Sequence, residues 1–198
     1  MKAVPGPFDG RPPVDRFVLG GSPLRSHPDR MGLAAFLTFG CYSSGEFILP
    51  SPIGPELSSA IEDDCQPIRV RPSPVEYVPR IMATGKRSVT VRQGHTPSLD
   101  EPQIQVVPSV SADGLFRWGN TISVSSNSFA FDMGLRAVLS VAVLFAEDLD
   151  AADLIVQVPR PIEGREEGRL RQLLLSVGLG FSLTSNLDFG RAGTGSAL

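Results

Sequence analysis

Apolar residues along the chain follow two spacings, one typical of helices and one typical of strands. Runs with an apolar helical face cover 31–39, 133–146 and 163–177, and a proline in the first turn favours a further helix from residue 55 to about 62. Alternating or β-branched runs predict the strands. These are 17–20, 47–49, 68–70, 88–91, 103–107, 115–118, 122–125, 154–158 and 181–184. The order of the elements predicts an α/β (α+β) fold.

Two stretches about a hundred residues apart resemble each other. The sequence Met-Gly-Leu occurs at 31–33 and at 133–135, and each copy opens an apolar helical run. Each run is followed by a short strand, a Pro-x-Pro-Ile sequence at 50–53 or 159–162, and another helix. Self-similarity of this kind predicts a fold built from repeated βαβαβ units. The predicted N-caps of the two helices are Asp29 and Asp132.

The composition changes along the chain and predicts one domain with two loose ends. Residues 1–14 are rich in proline and glycine and predict an arm, and residues 188–198 predict a flexible tail. A single repeat-built domain is expected over 15–187. Its predicted parts are the two units, at about 16–71 and 121–186, a β-rich segment at 72–120 between them, and a short helix at 75–82.

Charge and hydropathy argue against several classes of function. The net charge of −3 disfavours a nucleic-acid binder, because contacts to phosphates need a basic face. The most apolar stretch, 135–145, is shorter than the roughly 20 residues that a membrane span requires. Residues 1–13 lack the apolar core of a signal peptide, and Cys41 and Cys65 have no CxxC spacing. We therefore expect a cytoplasmic protein with free thiols and no membrane partner.

Few residues form a pattern that carries catalytic or metal chemistry. His27 and His95, the two histidines, lie beside prolines or glycines in predicted loops. The acid clusters at 62–64 and 147–150 fall at the ends of predicted helices, where solvated carboxylates are the simplest interpretation. No serine has the Gly-x-Ser-x-Gly context of a hydrolase nucleophile. The sequence therefore predicts no metal site and no cofactor.

The β-rich segment is the better candidate for binding. If the strand of Ser88, Val89, Thr90 and Val91, or the strand at 103–107, lies at a sheet edge, it can accept an extended peptide as an added strand. Basic residues around the first strand would suit an acidic peptide. These are Arg80, Lys86, Arg87 and Arg92. The alternative that these strands are internal and the charges merely solvated stays open.

Parts of the chain resemble one lobe of the enolpyruvyl transferases, the family of EPSP synthase and the UDP-N-acetylglucosamine enolpyruvyl transferase. Residues 21–26, Arg30 and an apolar helix ending at Gly40 are similar to the N-terminal Gly-Ser-Lys-Ser…Arg segment of that family. Residues 125–181, with the turn at 164–168, are similar to its later serine-rich turn, helix, strand and arginine-bearing turn. The resemblance covers about 16–186 and implies a lobe built from βαβαββ units.

The departures from that family concern its chemistry. Pro23 stands where the family has a lysine, no reactive-cysteine loop can be placed, and a second lobe is missing. The resemblance therefore implies a degenerate, non-catalytic lobe, of the kind that occurs as a recognition subunit in peptide natural-product pathways such as crocagin biosynthesis. Its expected partners are a short precursor peptide, a modifying enzyme and a second copy of the chain, the last because a lone lobe should expose an apolar face.

An enzymatic alternative also follows from the resemblance. The chain can be half of a split enolpyruvyl-type transferase that a partner or a homodimer completes. It would then bind phosphoenolpyruvate near Arg25, Arg30 and Arg165. Purely structural self-association is a third possibility.

Overall fold

Two separate sheets and four helices make up the computed structural model, which describes residues 1–94, 101–131, 134–158 and 162–185. The mixed α/β class that the sequence predicts is confirmed. The helices are α1 (Pro28–Phe39), α2 (Pro55–Asp64), α3 (Leu135–Phe145) and α4 (Gly164–Leu175). The strands are β1 (Gly45–Ile53), β2 (Val70–Val75), β3 (Arg87–Gln93), β4 (Gln103–Pro108), β5 (Leu115–Trp118), β6 (Thr121–Ser126), β7 (Ala151–Val158) and β8 (Gly180–Ser185).

The smaller sheet consists of β1 and β2, which run parallel and are connected by α2. Pro55 begins α2 because a proline at the first helical position lacks an N–H that would have no partner there in any case. The inward residues Leu57 and Ile61 are fully buried. A parallel pair needs such a crossover to return the chain to the start of the second strand.

The larger sheet has the strand order β5-β6-β4-β3-β7-β8. Adjacent strands of this sheet run parallel, except that β5 forms an antiparallel hairpin with β6. One face is apolar and buried, with Val89 and Val91 of β3 beside Ile104 and Val106 of β4. The alternate positions are mostly Ser, Thr and Gln, so the opposite, outer face of the sheet is polar, although Thr90, Gln103 and Gln105 on it are buried.

Helices α1 and α3 pack against each other between the two sheets. Helix α1 also contacts β1, and α3 contacts β3 and β4. Ten of the twelve residues of α1 and nine of the eleven of α3 are buried, as expected for helices that are apolar on nearly all sides. Within the described ranges, every helix is too short to cross a lipid bilayer.

The order helix, 3-10 turn, strand, helix, strand occurs twice, first as α1, β1, α2, β2 and again as α3, β7, α4, β8. The resemblance to an enolpyruvyl-transferase lobe stays a prediction. Three local predictions are wrong. Residues 17–20 form no strand but only a bridge from Leu19 to Ser126, and 76–86 contain no helix. His27 rather than Asp29 caps α1, because Pro28 occupies the first helical position. Asp132 and the tail at 188–198 lie outside the described residues.

Candidate functional site

Strand β3, which carries the predicted docking residues Ser88 to Val91, lies inside the larger sheet. Thr90 is in register with Gln103 of β4, and Val89 is in register with Leu154 of β7. Both backbone edges of β3 are therefore used, and it cannot accept an added strand. The same holds for 103–107, since β4 lies between β3 and β6. The prediction of a docking edge at either strand is wrong.

The basic residues expected to flank that strand lie apart. Arg80 forms an ion pair with Glu76 in the segment between the two sheets. The guanidinium of Arg87 donates a hydrogen bond of 2.9 Å to Oδ1 of Asn120 in the β5–β6 hairpin. Arg92 lies on the outer face of β3, and its buried Nε has no partner in the described part of the chain. These side chains do not form a surface that would select an acidic peptide.

The three arginines expected to bind an anion do not converge either. Arg30 is 1% exposed, lies 3.5 Å from a carboxylate oxygen of Glu147 and donates through Nε to the carbonyl of Val177. Val177 follows the end of α4, whereas Arg165 lies in its first turn. A helix of twelve residues is about 18 Å long, so the two arginines are at opposite ends of it. Arg25 is exposed.

Strand β1 has an open backbone edge. The N–H of Gly45 donates to the carbonyl of Arg69 just before β2, so the backbone groups of Gly45 point toward that strand. Successive residues of a strand alternate in this direction, so the N–H and C=O groups of Glu46 and Ile48 point away from β2. Within the ranges that the structure describes, no backbone group bonds to them there. Ile48 is 74% exposed.

A groove of about 640 Å³ runs along this edge of β1. Consecutive residues from 46 to 50 line it, so it follows the edge of the strand and not one face of the sheet. Phe47 and Leu49 of β1 line it together with Ala35 and Phe39 of α1, which gives it an apolar side. The opposite wall is the proline-rich arm at the N-terminal end. The arm residues that line the groove are Met1–Gly6, Asp9, Gly10 and Pro12.

Hydrogen bonds attach the arm at both of its ends. The carboxylate of Asp9 accepts from the backbone N–H groups of Ser44, at 2.7 Å, and Gly6, at 2.8 Å. These two bonds, that from Ser44 above all, hold the pKa of Asp9 below its ordinary value. At the other end, Lys2 pairs with Arg16 in an antiparallel bridge. The predicted arm at 1–14 is thus held along the groove.

The arrangement suits an extended chain more than a compact ligand. Glu46 and Ile48 offer two N–H donors and two carbonyl acceptors in line, the pattern that an added strand requires. Pro50 and Pro52 have no N–H, so strand addition is limited to the first half of β1. Sequence reasoning missed this site because a run so rich in proline predicts little more than a three-residue strand.

The acid clusters stabilise the fold. Glu147 accepts from the backbone N–H of His27 at 3.0 Å, and Asp148 accepts from that of Leu24 at 3.0 Å. Asp148 also pairs with Arg117 at 2.6 Å. Asp64, from the first cluster, is paired with Arg136 at 2.8 Å.

In the ranges 1–94, 101–131, 134–158 and 162–185 there is no group of three His, Cys, Asp or Glu side chains that could hold a metal ion. His95 lies outside these ranges. Neither Cys41 nor Cys65 is part of a disulfide bond. Comparison with known proteins finds no matching family model, no matching curated protein and no matching solved structure.

Proposed function

We propose that this chain is a non-catalytic, cytoplasmic peptide-binding protein that holds a short extended segment in the groove between β1 and the arm. The observation that carries the proposal is the open backbone edge at Glu46 and Ile48, which lies next to a groove with apolar walls. Main-chain hydrogen bonds to such an edge give affinity, and pockets for alternate side chains give selectivity.

The walls of the groove indicate the kind of peptide. Since Phe39, Phe47 and Leu49 supply apolar surface, the bound segment has apolar side chains at the positions that face them. Arg80, Arg87 and Arg92 do not line the groove, so an acidic segment gains nothing from them. A groove of about 640 Å³ is within the usual range for ligand sites, about 300–1,000 Å³.

The biological setting of this proposal rests on the resemblance given above. The peptide is the precursor of a ribosomal peptide natural product, and the protein presents it to a modifying enzyme. A groove with two backbone donors in line supports recognition of an extended precursor segment.

The test uses fluorescently labelled peptides of about ten residues from the short reading frames beside this gene. Fluorescence anisotropy is measured with the wild-type chain and with Ile48→Pro, which removes an outward N–H. The side chain of Ile48 is 74% exposed, so this change leaves the core intact. Ile48→Ala is the matched control because it keeps the N–H. We expect Ile48→Pro to weaken binding by a factor of about ten or more, since one backbone hydrogen bond and its geometry are lost.

Equal affinity of the Ile48→Pro and Ile48→Ala variants would exclude strand addition at β1. If the wild-type chain binds none of the labelled peptides when the protein is in 100-fold molar excess, the proposed peptide-binding function is wrong. A parallel titration with phosphoenolpyruvate and a UDP-sugar tests the split-transferase alternative, which the separation of Arg30 from Arg165 disfavours.

A further inference from the structure

Strand β5 presents two large aromatic side chains to solvent at the edge of the larger sheet. Phe116 is 68% exposed and Trp118 is 75% exposed. They alternate with Leu115 and Arg117, so both lie on the outer face of the sheet. A soluble protein seldom exposes neighbouring aromatic residues on an edge strand unless something covers them.

The backbone of β5 has a free edge as well. The N–H of Ser125 in β6 donates to the carbonyl of Gly114, so the backbone groups of Gly114 point toward β6. By alternation, those of Phe116 and Trp118 also point toward β6, and those of Leu115 and Arg117 point outward. Among the described residues, no backbone group bonds to Leu115 or Arg117 on that outer side.

Proline, one of the residues that usually protect an edge strand, is absent from the four-residue strand β5. Strands β1 and β2 contain two prolines each, whereas β5 contains none. The one charged residue of β5, Arg117, turns to the other face of the sheet, where it pairs with Asp148 at 2.6 Å and lies over the ring of Phe145. Its charge therefore does not oppose association at the outer face of the sheet.

We propose that β5 pairs antiparallel with β5 of a second copy, so that the two larger sheets join into one across a two-fold axis at Phe116. In this register Leu115 of each copy faces Arg117 of the other, and both residues carry outward-pointing backbone groups. The two pairs can therefore form four hydrogen bonds. No other register centred on a residue of this strand brings both outward residues of each copy together.

The side chains suit the same register. Phe116 of one copy lies directly opposite Phe116 of the other, on the same face of the joined sheet. Trp118 faces Gly114 of the other copy, where the absence of a side chain leaves room for the indole. A Cβ on Gly114 would lie 3.8 Å from the ring of Phe116, so this indole would also meet that ring.

The exposed aromatic area is small for a stable interface. With roughly 150–250 Å² per aromatic side chain, the exposed parts of Phe116 and Trp118 amount to about 300 Å² per copy. A standard stable interface buries about 800 Å² per partner. We therefore expect a reversible dimer that dissociates on dilution to about micromolar concentration.

Sedimentation velocity on the full chain from about 1 to 200 µM provides the test. Trp118 is the only tryptophan, so its emission reports on the proposed contact directly. Phe116→Lys and Phe116→Glu each place two like charges at the axis and should weaken dimerisation by a factor of about ten or more. Residue 116 of one copy lies opposite residue 116 of the other in the proposed register. An equimolar mixture of the two variants should therefore form a mixed dimer, in which a lysine faces a glutamate. Ile81→Lys, at a position that is 99% exposed, is the matched control and should dimerise like the wild type.

A wild-type chain that stays monomeric up to 200 µM would overturn the proposal. So would a Phe116→Lys variant that dimerises as the wild type does, or a mixture of the two charged variants that fails to associate. Thermal unfolding of each variant at low concentration separates a lost contact from a lost fold, since Phe116 is exposed in the monomer.

Discussion

Arg136 of α3 connects α2 and α4, the second helices of the two repeated units, and its replacement should strongly destabilise the fold. Its guanidinium bonds to the carboxylate of Asp64 in α2 at 2.8 and 2.9 Å, and to that of Glu166 in α4 at 2.7 and 3.1 Å. Burial alone would lower the pKa of Arg136, but the hydrogen bonds to the two carboxylates raise it above its ordinary value. The side chain of Asp64 is 6% exposed, whereas that of Glu166 is 35% exposed.

The Arg136→Met variant therefore leaves one charge buried without a partner. Glu166 can turn to water, but Asp64 cannot, and its negative charge also lies at the C-terminal end of α2, where the helix dipole disfavours it. We expect a loss of about 3–5 kcal/mol in the free energy of unfolding, a large part of the roughly 5–15 kcal/mol that holds a domain folded. Urea denaturation followed by circular dichroism measures it.

Two further variants show whether the cause is the unpaired charge. Replacing both partners, as in Asp64→Leu with Arg136→Met, removes that charge and should recover all but about 1 kcal/mol of the loss. Arg171→Met breaks the exposed pair with Glu167 and should cost no more than about 0.5 kcal/mol. The reasoning is refuted if Arg136→Met, like Arg171→Met, lowers the free energy of unfolding by less than 1 kcal/mol. It is also refuted if the double variant is no more stable than Arg136→Met alone.

Two other predictions concern titrating groups. The folded-state pKa of Asp9 lies below its ordinary value of about 3.9, so its bonds stabilise the arm above about pH 4 and are lost as the pH falls through the lower folded value. The backbone amide shift of Ser44, followed by NMR, should therefore titrate below pH 3.9 and should not titrate in Asp9→Asn; a midpoint at or above 3.9 would contradict this. Burial, together with the carboxylate of Asp64, raises the pKa of Cys65 to about 11. At pH 8, iodoacetamide should modify Cys65 about a hundredfold more slowly in the native protein than in urea, as measured by mass spectrometry, and equal rates would show that the thiol is not shielded.

The positions of most helices and strands along the chain could be predicted from local patterns. Which of them lie next to each other in space could not. The apolar face of Leu170, Leu173 and Leu174 predicts α4, and β5 is found at the predicted residues 115–118. Such patterns depend on residues a few positions apart. The order of strands depends on pairings between distant residues, so an alternating strand such as β3 gives no sign of whether it lies at an edge or inside.

The site could not be predicted for the same reason. Arg30 has the sequence context of an exposed anion ligand, but its partners Glu147 and Val177 are more than a hundred residues away and bury it. The polar residues on the outer face of the larger sheet misled in the same direction, because Thr90 and Gln103 are buried although their type suggests contact with solvent. The groove along β1 depends on where the arm lies, and no local pattern specifies that.

The burial of α1 has a consequence for the synthesis of the protein. Its main helical partner is α3, and Phe39 at the end of α1 and Phe145 at the end of α3 are 106 positions apart. At about 5–20 residues per second, the ribosome needs roughly 5–20 s to make that stretch. During this interval α1 can pack only against the smaller sheet, and the surface that α3 later covers stays open to chaperones and to other nascent chains.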